Sequence, residues 1–232
     1  MSRNDFTEPF LLINFKTYLE ATGKRAVHLS KKIEQVAQNN DVLVGVAPQF
    51  CDIEQVATHV EIPVFAQHID WIETGANTGH ILAESVKAAG GVGTLINHSE
   101  RPLQLSDVEK SVERARGVGL SSVVCAGTVA LATAVASTRP DMVAIEPPEL
   151  IGTGRAVSKE RPEIVSDSVR QIRAVNHEVR ILCGAGVATG DDVYAALKLG
   201  AQGVLVASGV VKAHKPEDVL ADFCKGFLKY HL

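Results

Sequence analysis

The sequence predicts an α/β fold, a single-domain (β/α)8 barrel with eight parallel strands and an outer ring of helices. Short apolar runs alternate with segments of helical period along the whole chain. Eight such units would average about 29 residues, near the ~30 that a strand and its crossover helix need. An open doubly wound sheet is expected to carry a glycine-rich turn after its first strand, but Asn14-Phe15-Lys16 stands there, which favours the closed barrel. No linker or charge block divides residues 1–232, which indicates one domain.

The short apolar runs are the predicted strands. Continuous apolarity over so few residues is typical of strands that are covered on both faces, as in a parallel sheet. In chain order the runs are Leu11–Ile13, Val42–Val46, Val64–Ala66, Thr94–Ile96, Val123–Cys125, Met142–Ile145, Ile181–Cys183 and Val204–Val206.

Helical signals lie between these runs. One apolar stripe predicts a first helix that ends at Asn39-Asn40, and its members are Ala26, Leu29, Ile33 and Val36. Two pairs have the spacing of a capping box, Ser106 with Glu109 and Thr189 with Asp192. Ser158 is expected to cap the helix that carries Val165, Val169, Ile172 and Val175, and Pro216 to begin the last helix.

Charge and composition favour a small-molecule partner. The formal net charge of −4 comes from 23 basic and 27 acidic residues with no long run of either sign, so neither nucleic acid nor a membrane surface is an expected partner. The first ten residues contain Arg3, Asp5 and Glu8 and lack an apolar core, and no segment approaches the ~18 apolar residues of a membrane span. We expect a cytoplasmic protein.

No metal site is predicted. Cys51, Cys125, Cys183 and Cys224 form no CxxC pair and are expected to be buried free thiols in a reducing compartment. The eight histidines form no HExxH or other ligand spacing.

Polar side chains and glycine-containing turns directly follow the predicted strands. In a barrel the functional site lies at the carboxyl ends of the strands. The residues concerned are Asn14, Lys16, Gln67, His68, Asn97, His98, Glu146, Gly184–Gly186 and Ala207-Ser208-Gly209. Taken singly, a strand-end Glu is usually exposed or ion-paired, a lone His is usually structural, and a Lys is often a solvated rim charge. Because all of these residues would meet at one end of the barrel, an active site is favoured there.

The stretch Asp141–Arg155 predicts a lid. An apolar run ends on Glu146, two prolines stiffen the following stem, and Gly152 and Gly154 give the tip backbone freedom and accessible amides. The loops after strands seven and eight form the recurrent phosphate site of such barrels, so amides at Gly186, Ala207 and Ser208, joined by Gly152, are expected to bind a phosphate.

Four motifs resemble those of the triosephosphate isomerases, which are TIM-barrel enzymes, and the match is closest to the archaeal branch. They are Asn14-x-Lys16, Asn97-His98-Ser99-Glu100-Arg101, Ala144-x-Glu146-Pro147 with Ile151-Gly152-Thr153-Gly154, and Gly203-x-Leu205-Val206-Ala207-Ser208. The resemblance implies interconversion of glyceraldehyde 3-phosphate and dihydroxyacetone phosphate, in glycolysis and gluconeogenesis, without a cofactor.

The resemblance also implies roles for single residues. Glu146 would be the base, His98 the neutral electrophile, Lys16 the cation that holds substrate oxygens, and Asn14 a supporting donor. Glu100 would not contact the substrate but would hold the site residues in position. Amides of Ile151, Gly152, Gly186, Ala207 and Ser208 would hold the phosphate.

Two features depart from the family's pattern. Most members carry a tyrosine and a serine after strand seven whose hydroxyls fasten the closed lid, whereas Cys183 and Gly186 stand at those positions here. The family's lid-stem tryptophan is absent, since Pro148-Glu149-Leu150 occupies that segment. The lid is therefore expected to close through other contacts.

The long polar loop Ile69–Gly79, which carries Trp71, is by resemblance a segment that reaches into a neighbouring subunit and packs beside Lys16 and His98. We expect a homo-oligomer, a dimer at least, and a homotetramer if the archaeal likeness holds.

Two other functions remain open. One is an aldolase that uses Lys16 as a Schiff-base amine, although such a lysine usually lies in an apolar pocket rather than at a strand's rim. The other is a non-catalytic barrel that binds a phosphate metabolite or a protein partner.

Overall fold

The computed structural model describes residues 9–231, so Arg3, Asp5 and Glu8 lie outside the described residues. Eight parallel strands form one sheet in the order β2-β1-β8-β7-β6-β5-β4-β3. A parallel bridge between Val46 and Val64 joins the two ends of that order and closes the ring. The barrel prediction is confirmed, and every predicted run contributes to a strand. The strands are β1 Phe10–Asn14, β2 Leu43–Ala47, β3 Phe65–Ala66, β4 Gly93–Ile96, β5 Ser121–Ala126, β6 Met142–Ile145, β7 Arg180–Cys183 and β8 Gly203–Val206.

Helices surround the barrel and alternate with the strands. None of them, within residues 9–231, is long and apolar enough to cross a membrane. Their bounds are α1 Lys24–Asn40, α2 Ile53–Ala57, α3 Ala83–Ala88, α4 Leu105–Val118, α5 Val129–Ala136, α6 Val157–Glu160, α7 Pro162–Val175, α8 Gly190–Lys198, α9 Ser208–Val211 and α10 Pro216–His231.

The strands are buried on both faces, which explains their continuous apolarity. Alternate side chains divide between two cores. Phe10 and Leu12 of β1 belong to the cluster inside the barrel, whereas Leu11 and Ile13 belong to the layer between strands and helices. The rings of Phe10 and Phe65 lie 5.9 Å apart inside the barrel. Gly93 leaves room for Phe65, because a Cβ at that position would overlap the ring.

The helix-end predictions are confirmed in part. Helix α1 ends at Asn40, α10 begins at Pro216, and Thr189 forms a capping box with Asp192 at α8. The prediction for Ser106 was wrong. Helix α4 begins at Leu105, two residues before the start that a cap at Ser106 implies, after an extended Gln104 that makes no side-chain cap.

Two further predictions need correction. Ser158 does not cap α7, because it lies within the short helix α6, and α7 begins at Pro162 after Arg161. All four cysteines are free, but Cys51 is exposed, since it lies in a surface 3-10 turn at Phe50–Asp52. Cys125, Cys183 and Cys224 are buried as expected.

Candidate active site

A cavity of about 330 Å³ opens at the carboxyl ends of the strands. It brings together all the residues that the sequence predicts for catalysis and phosphate binding. These are Asn14, Lys16, His98, Glu146, Ile151, Gly152, Gly186, Ala207 and Ser208. Residues separated by almost the entire chain meet here because parallel strands in a barrel all end on the same face.

Glu146 follows the last residue of β6 and is only 5% exposed. Its amide donates to the carbonyl of Ala126 at 2.9 Å, which continues the β5–β6 ladder and fixes the backbone beneath the carboxylate. The side chain lies over Gly184 of the neighbouring strand end. A Cβ at Gly184 would lie 2.9 Å from Cδ and 3.0 Å from Oε1 of Glu146, and closer still to Cγ. Glycine is therefore required there for the carboxylate to keep its place.

Burial raises the pKa of Glu146 to about 7, and the weaker opposing effects are a hydrogen bond from the Cys125 thiol and the charge of Lys16. A carboxylate with a pKa near neutrality is a stronger base than an exposed one and is still ionised in part. Among residues 9–231, no donor hydrogen-bonds the buried Oε2 atom of Glu146. This oxygen is thus available to a substrate.

His98 is buried and faces Glu146 across the cavity, with its Nε2 atom 3.7 Å from Oε2 of Glu146. Its Nδ1 atom accepts the backbone N–H of Glu100 at 3.2 Å. A nitrogen that accepts an N–H carries no proton, so the proton of the neutral ring lies on Nε2 and points into the site. Burial, followed by the charge of Lys16, lowers the pKa of His98. The ring is therefore a neutral hydrogen-bond donor.

Asn97 sets the direction of His98. It adopts a left-handed backbone conformation with φ of 61° directly after β4. Its side chain holds that turn from both sides, because Nδ2 donates to the carbonyl of Cys125 at 2.9 Å and Oδ1 accepts the N–H of Leu103 at 2.8 Å.

Lys16 is a buried cation held on three sides. The side-chain Nζ atom of Lys16 lies 2.8 Å from Oε1 of Glu100. The backbone N–H of Lys16 donates to Oδ1 of Asn14 at 2.9 Å. Lys16 adopts a φ of 48°, and its carbonyl accepts Nε2 of Gln67 at 2.8 Å. Gln67 also reaches the carbonyl of Ala47 at 3.0 Å, so it links the ends of β1 and β2.

Glu100 does not line the cavity, and neither do Gln67, His68 and Asn97, which the sequence also predicts at this mouth. The Glu100 side chain is 59% exposed, and its carboxylate lies behind Lys16 and 3.5 Å from Nδ1 of His98. It contacts both Lys16 and His98 from outside the cavity, and its role in ordering the site stays a prediction.

The lid, which we define as residues 147–155, covers one side of the cavity. Its stem contains a 3-10 turn at Pro148–Leu150, and Leu150 packs into the core. The tip is exposed and contains two glycines in the left-handed region, Gly152 with φ of 72° and Gly154 with φ of 71°. Helix α6 follows, and its first N–H, from Val157, donates to the carbonyl of Ala185 at 3.0 Å.

Two glycine-containing turns lie opposite the lid. The β7 loop, which we define as residues 184–189, lines the cavity at Gly184, Gly186, Val187 and Ala188. Gly186 has φ of 70°, and a Cβ there would overlap the carbonyl oxygen of Arg155 at the end of the lid. Helix α9 begins directly after β8 and Ala207, and the first amides of a helix have no intrahelical partner. The mouth therefore combines free backbone donors with the charge of Lys16, a setting suited to an anion.

Sequence reasoning missed three contributors. Tyr18 lines the cavity without belonging to a strand end. Cys125 was interpreted only as a buried thiol, yet it contacts the Glu146 carboxylate. Gly184 was identified only as part of a turn, whereas it makes room for Glu146. The sequence carried no signal for the contacts of Cys125 and Gly184, because these depend on the register of neighbouring strands.

The arrangement is suited to proton transfer at carbon. A carboxylate with a raised pKa faces a neutral N–H donor, and a cation lies beside both. Such a set can remove a proton next to a carbonyl while the donor stabilises the developing oxyanion. Within the described part of the chain, no group of His, Cys, Asp or Glu side chains is arranged to hold a metal ion.

Comparison with known proteins agrees with this geometry. The sequence model of the family described as triosephosphate isomerase matches residues 9–226. The chain is 52% identical to the triosephosphate isomerase of Methanobacterium bryantii, over 92% of this chain and 95% of that protein. It is 48% identical to that of Methanocaldococcus jannaschii, over 93% of this chain and 98% of that protein. For the enzyme of Methanosarcina mazei the identity is 49%, over 94% of this chain and 98% of that protein.

Proposed function

Since the chain belongs to the triosephosphate isomerase family and is an isomerase of triose phosphates, we propose that Glu146 and His98 carry out its reaction. The substrate pair is glyceraldehyde 3-phosphate and dihydroxyacetone phosphate, as the resemblance of the four motifs implies. The observation that supports these roles is the position of the Glu146 carboxylate opposite the Nε2–H of a neutral His98, at 3.7 Å across a cavity that admits a small molecule.

The reaction begins when Glu146 takes the proton from C2 of glyceraldehyde 3-phosphate. The electron pair of the C–H bond forms the C1–C2 double bond, and the carbonyl electrons move onto O1, which His98 stabilises through its Nε2–H. The result is an enediolate. His98 then passes a proton from O2 to O1, and the protonated Glu146 returns its proton to C1. Dihydroxyacetone phosphate is formed, and both side chains recover their original protonation states.

Lys16 and Asn14 bind the substrate from the end of β1. The Nζ atom of Lys16 supplies positive charge beside the oxygens that become negative in the enediolate. Asn14 is close enough to Lys16 to support this role, because Oδ1 of Asn14 accepts the backbone N–H of Lys16 at 2.9 Å. Glu100 keeps the ammonium in place through its 2.8 Å ion pair.

The phosphate is bound by amides of Ile151, Gly152, Gly186, Ala207 and Ser208. All five residues line the cavity on the side formed by the lid, the β7 loop and the start of α9. Binding energy from this non-reacting group can drive closure of the lid, which excludes water from the enediolate. An enediolate exposed to water eliminates phosphate, so closure also protects the intermediate.

We propose that the enzyme acts in glycolysis and gluconeogenesis, in the cytoplasm. We further propose a homo-oligomer, a dimer at least and a tetramer by likeness to the archaeal branch. Two large exposed apolar side chains support an interface, since Leu19 is 72% exposed and Trp71, in the long loop after β3, is 44% exposed. Light scattering coupled to size-exclusion chromatography tests this, and a monomer at micromolar concentration would contradict it.

The direct test is turnover of glyceraldehyde 3-phosphate by the purified protein, run together with borohydride trapping. We expect fast formation of dihydroxyacetone phosphate and no covalent adduct. Borohydride-dependent inactivation at Lys16 would instead indicate an aldolase, but the ion pair of Lys16 with Glu100 differs from the apolar setting of a Schiff-base lysine. Ligand binding without turnover, unaltered in Glu146→Gln, would indicate a binding barrel.

A further inference from the structure

The side chain of Asp192 links the β7 loop to α6, the helix that directly follows the lid. This residue lies in the first turn of α8, outside the cavity, and is 4% exposed. Its Oδ2 atom accepts the N–H groups of Ala188 at 3.0 Å and Thr189 at 2.9 Å. The carboxylate therefore determines where the last part of the β7 loop lies.

The other oxygen of Asp192 reaches the helix that follows the lid. Oδ1 lies 2.6 Å from Nζ of Lys159 in α6. The neighbouring residue adds a second link, because Ser158 Oγ donates to the backbone carbonyl of Asp192 at 3.2 Å. One carboxylate thus contacts two segments that approach the cavity from different directions.

Further contacts join the same two segments. The N–H of Val157 donates to the carbonyl of Ala185, and the N–H of Ser158 interacts with the sulfur of Cys183. Gly186 packs directly against the carbonyl of Arg155. Cys183 and Gly186 stand where most of the family has the two hydroxyls that fasten the lid, so this chain connects lid and loop through a different set of groups.

We propose that Asp192 is a positioning residue for phosphate binding, which holds the β7 loop directly and the lid through Lys159 of the following helix α6, so that the amides of both keep the relative position that a phosphate needs. This rests on the proposed function, in which those amides bind the substrate phosphate. Asp192 does not touch the substrate. Because a phosphate bound between the two segments requires both to be in place, loosening either one weakens the grip on the anion and leaves the Glu146–His98 pair intact.

The ion pair is suited to mutation. The Lys159 side chain is 51% exposed, so Lys159→Met removes the charge and keeps an apolar stem without disturbing the core. A matched control exists on the same helix, where Asp191 pairs with Lys229 at 3.0 Å and both side chains are exposed. Lys229→Met removes an ion pair one residue away that has no link to the lid.

The experiment measures inhibition by inorganic phosphate and turnover of two substrates, glyceraldehyde 3-phosphate and unphosphorylated glyceraldehyde. For Lys159→Met we expect the inhibition constant of phosphate and the KM for glyceraldehyde 3-phosphate to rise together by about tenfold, since a hydrogen bond to a charged group is lost. Asp192→Asn should raise both values further. Turnover of glyceraldehyde should stay within about twofold, Lys159→Arg should restore phosphate binding, and Lys229→Met should match the wild type.

The outcomes separate this inference from the proposed function. If phosphate fails to compete with substrate in the wild type, the proposed phosphate site itself is wrong. If phosphate competes equally well in the wild type, Lys159→Met and Asp192→Asn, only the role of Asp192 is wrong. Equal losses with both substrates and an unchanged phosphate constant would show that Asp192 supports the fold or the base and does not position the phosphate site.

Discussion

Oε2 of Glu146 lies 3.7 Å from Nε2 of His98, and no group among residues 9–231 donates a hydrogen bond to that oxygen. The separation is too long for a strong direct hydrogen bond. The carboxylate is therefore not engaged by the imidazole, and both groups face the space where a substrate would lie. Burial raises the pKa of Glu146 to about 7, against the weaker effects of the Cys125 thiol and the charge of Lys16.

Gly184→Ala is expected to damage catalysis while the fold is kept. The new Cβ would lie 2.9 Å from Cδ of Glu146, so the carboxylate must move. Misplacement of a base by ~1 Å can cost ~100-fold in rate, and we expect a loss of kcat of that order. Gly117→Ala is the control, because Gly117 lies in α4 with nothing within 4 Å of the added Cβ. That variant should keep full activity and gain about 0.5–1 kcal/mol of stability.

The activity should depend on pH through Glu146. Because the base must be ionised and its pKa is about 7, kcat/KM should fall about tenfold for each pH unit below 7 and level off above it. Unphosphorylated glyceraldehyde is the preferred substrate for this measurement, since a phosphate ester also titrates near pH ~6. A rate that stays constant down to pH 5 would show that Glu146 is not the base or is not buried in solution.

Ionisation of Glu146 should also lower the free energy of unfolding. Glu146 titrates near 4.5 when unfolded and near 7 when folded, so the folded state binds its proton more tightly. The associated stabilisation is fully present below pH 4.5 and is lost as the pH rises through 7, a difference of about 3 kcal/mol.

Glu146→Gln removes this charge. We compare the free energy of unfolding of the variant with that of the wild type at each pH. Between pH 4 and pH 8 this difference should move by about 3 kcal/mol in favour of the variant. Urea unfolding of both proteins across this range measures the gain, and comparison across pH cancels any constant effect of the substitution. A difference that does not change with pH would contradict the raised pKa.

His98 should stay neutral below the ordinary pKa of histidine. Burial and Lys16 lower its pKa, whereas Glu100 raises it. Nitrogen-15 NMR should show a ring protonated at Nε2 only, since Nδ1 accepts the Glu100 amide. Lys16→Met should raise the pKa of His98 and Glu100→Gln should lower it. Shifts in the reverse directions would contradict the electrostatic account of the site.

The barrel and the site residues were predictable because both depend on short-range patterns. Each apolar run marks a strand, and the residue that follows it must lie at the barrel mouth, whatever its distance along the chain. Glu146 and His98 could therefore be placed together although β5 lies between their strands. The loop that its prolines and glycines mark as a lid lines the cavity at Ile151, Gly152, Thr153 and Gly154, and its closure stays a prediction.

The errors arose where several residues compete for one local role. Ser106 and Ser158 both have the chemistry of a cap, but α4 begins directly after Gln104, whose carbonyl accepts the N–H groups of Asp107 and Val108. The backbone turn, which side-chain type does not determine, decides where a helix begins. The contacts of Cys125 and Gly184 with Glu146 depend on strand register and had no sequence signal.

The measurement that tests the central claim most directly is turnover of glyceraldehyde 3-phosphate by Glu146→Asp beside the wild type. Shortening the side chain by one methylene keeps the carboxylate and the fold but withdraws the base from the substrate. We predict fast turnover by the wild type and a loss of about 100-fold or more in kcat for the variant, with little change in phosphate inhibition. Equal turnover by the two folded proteins would show that Glu146 is not the base.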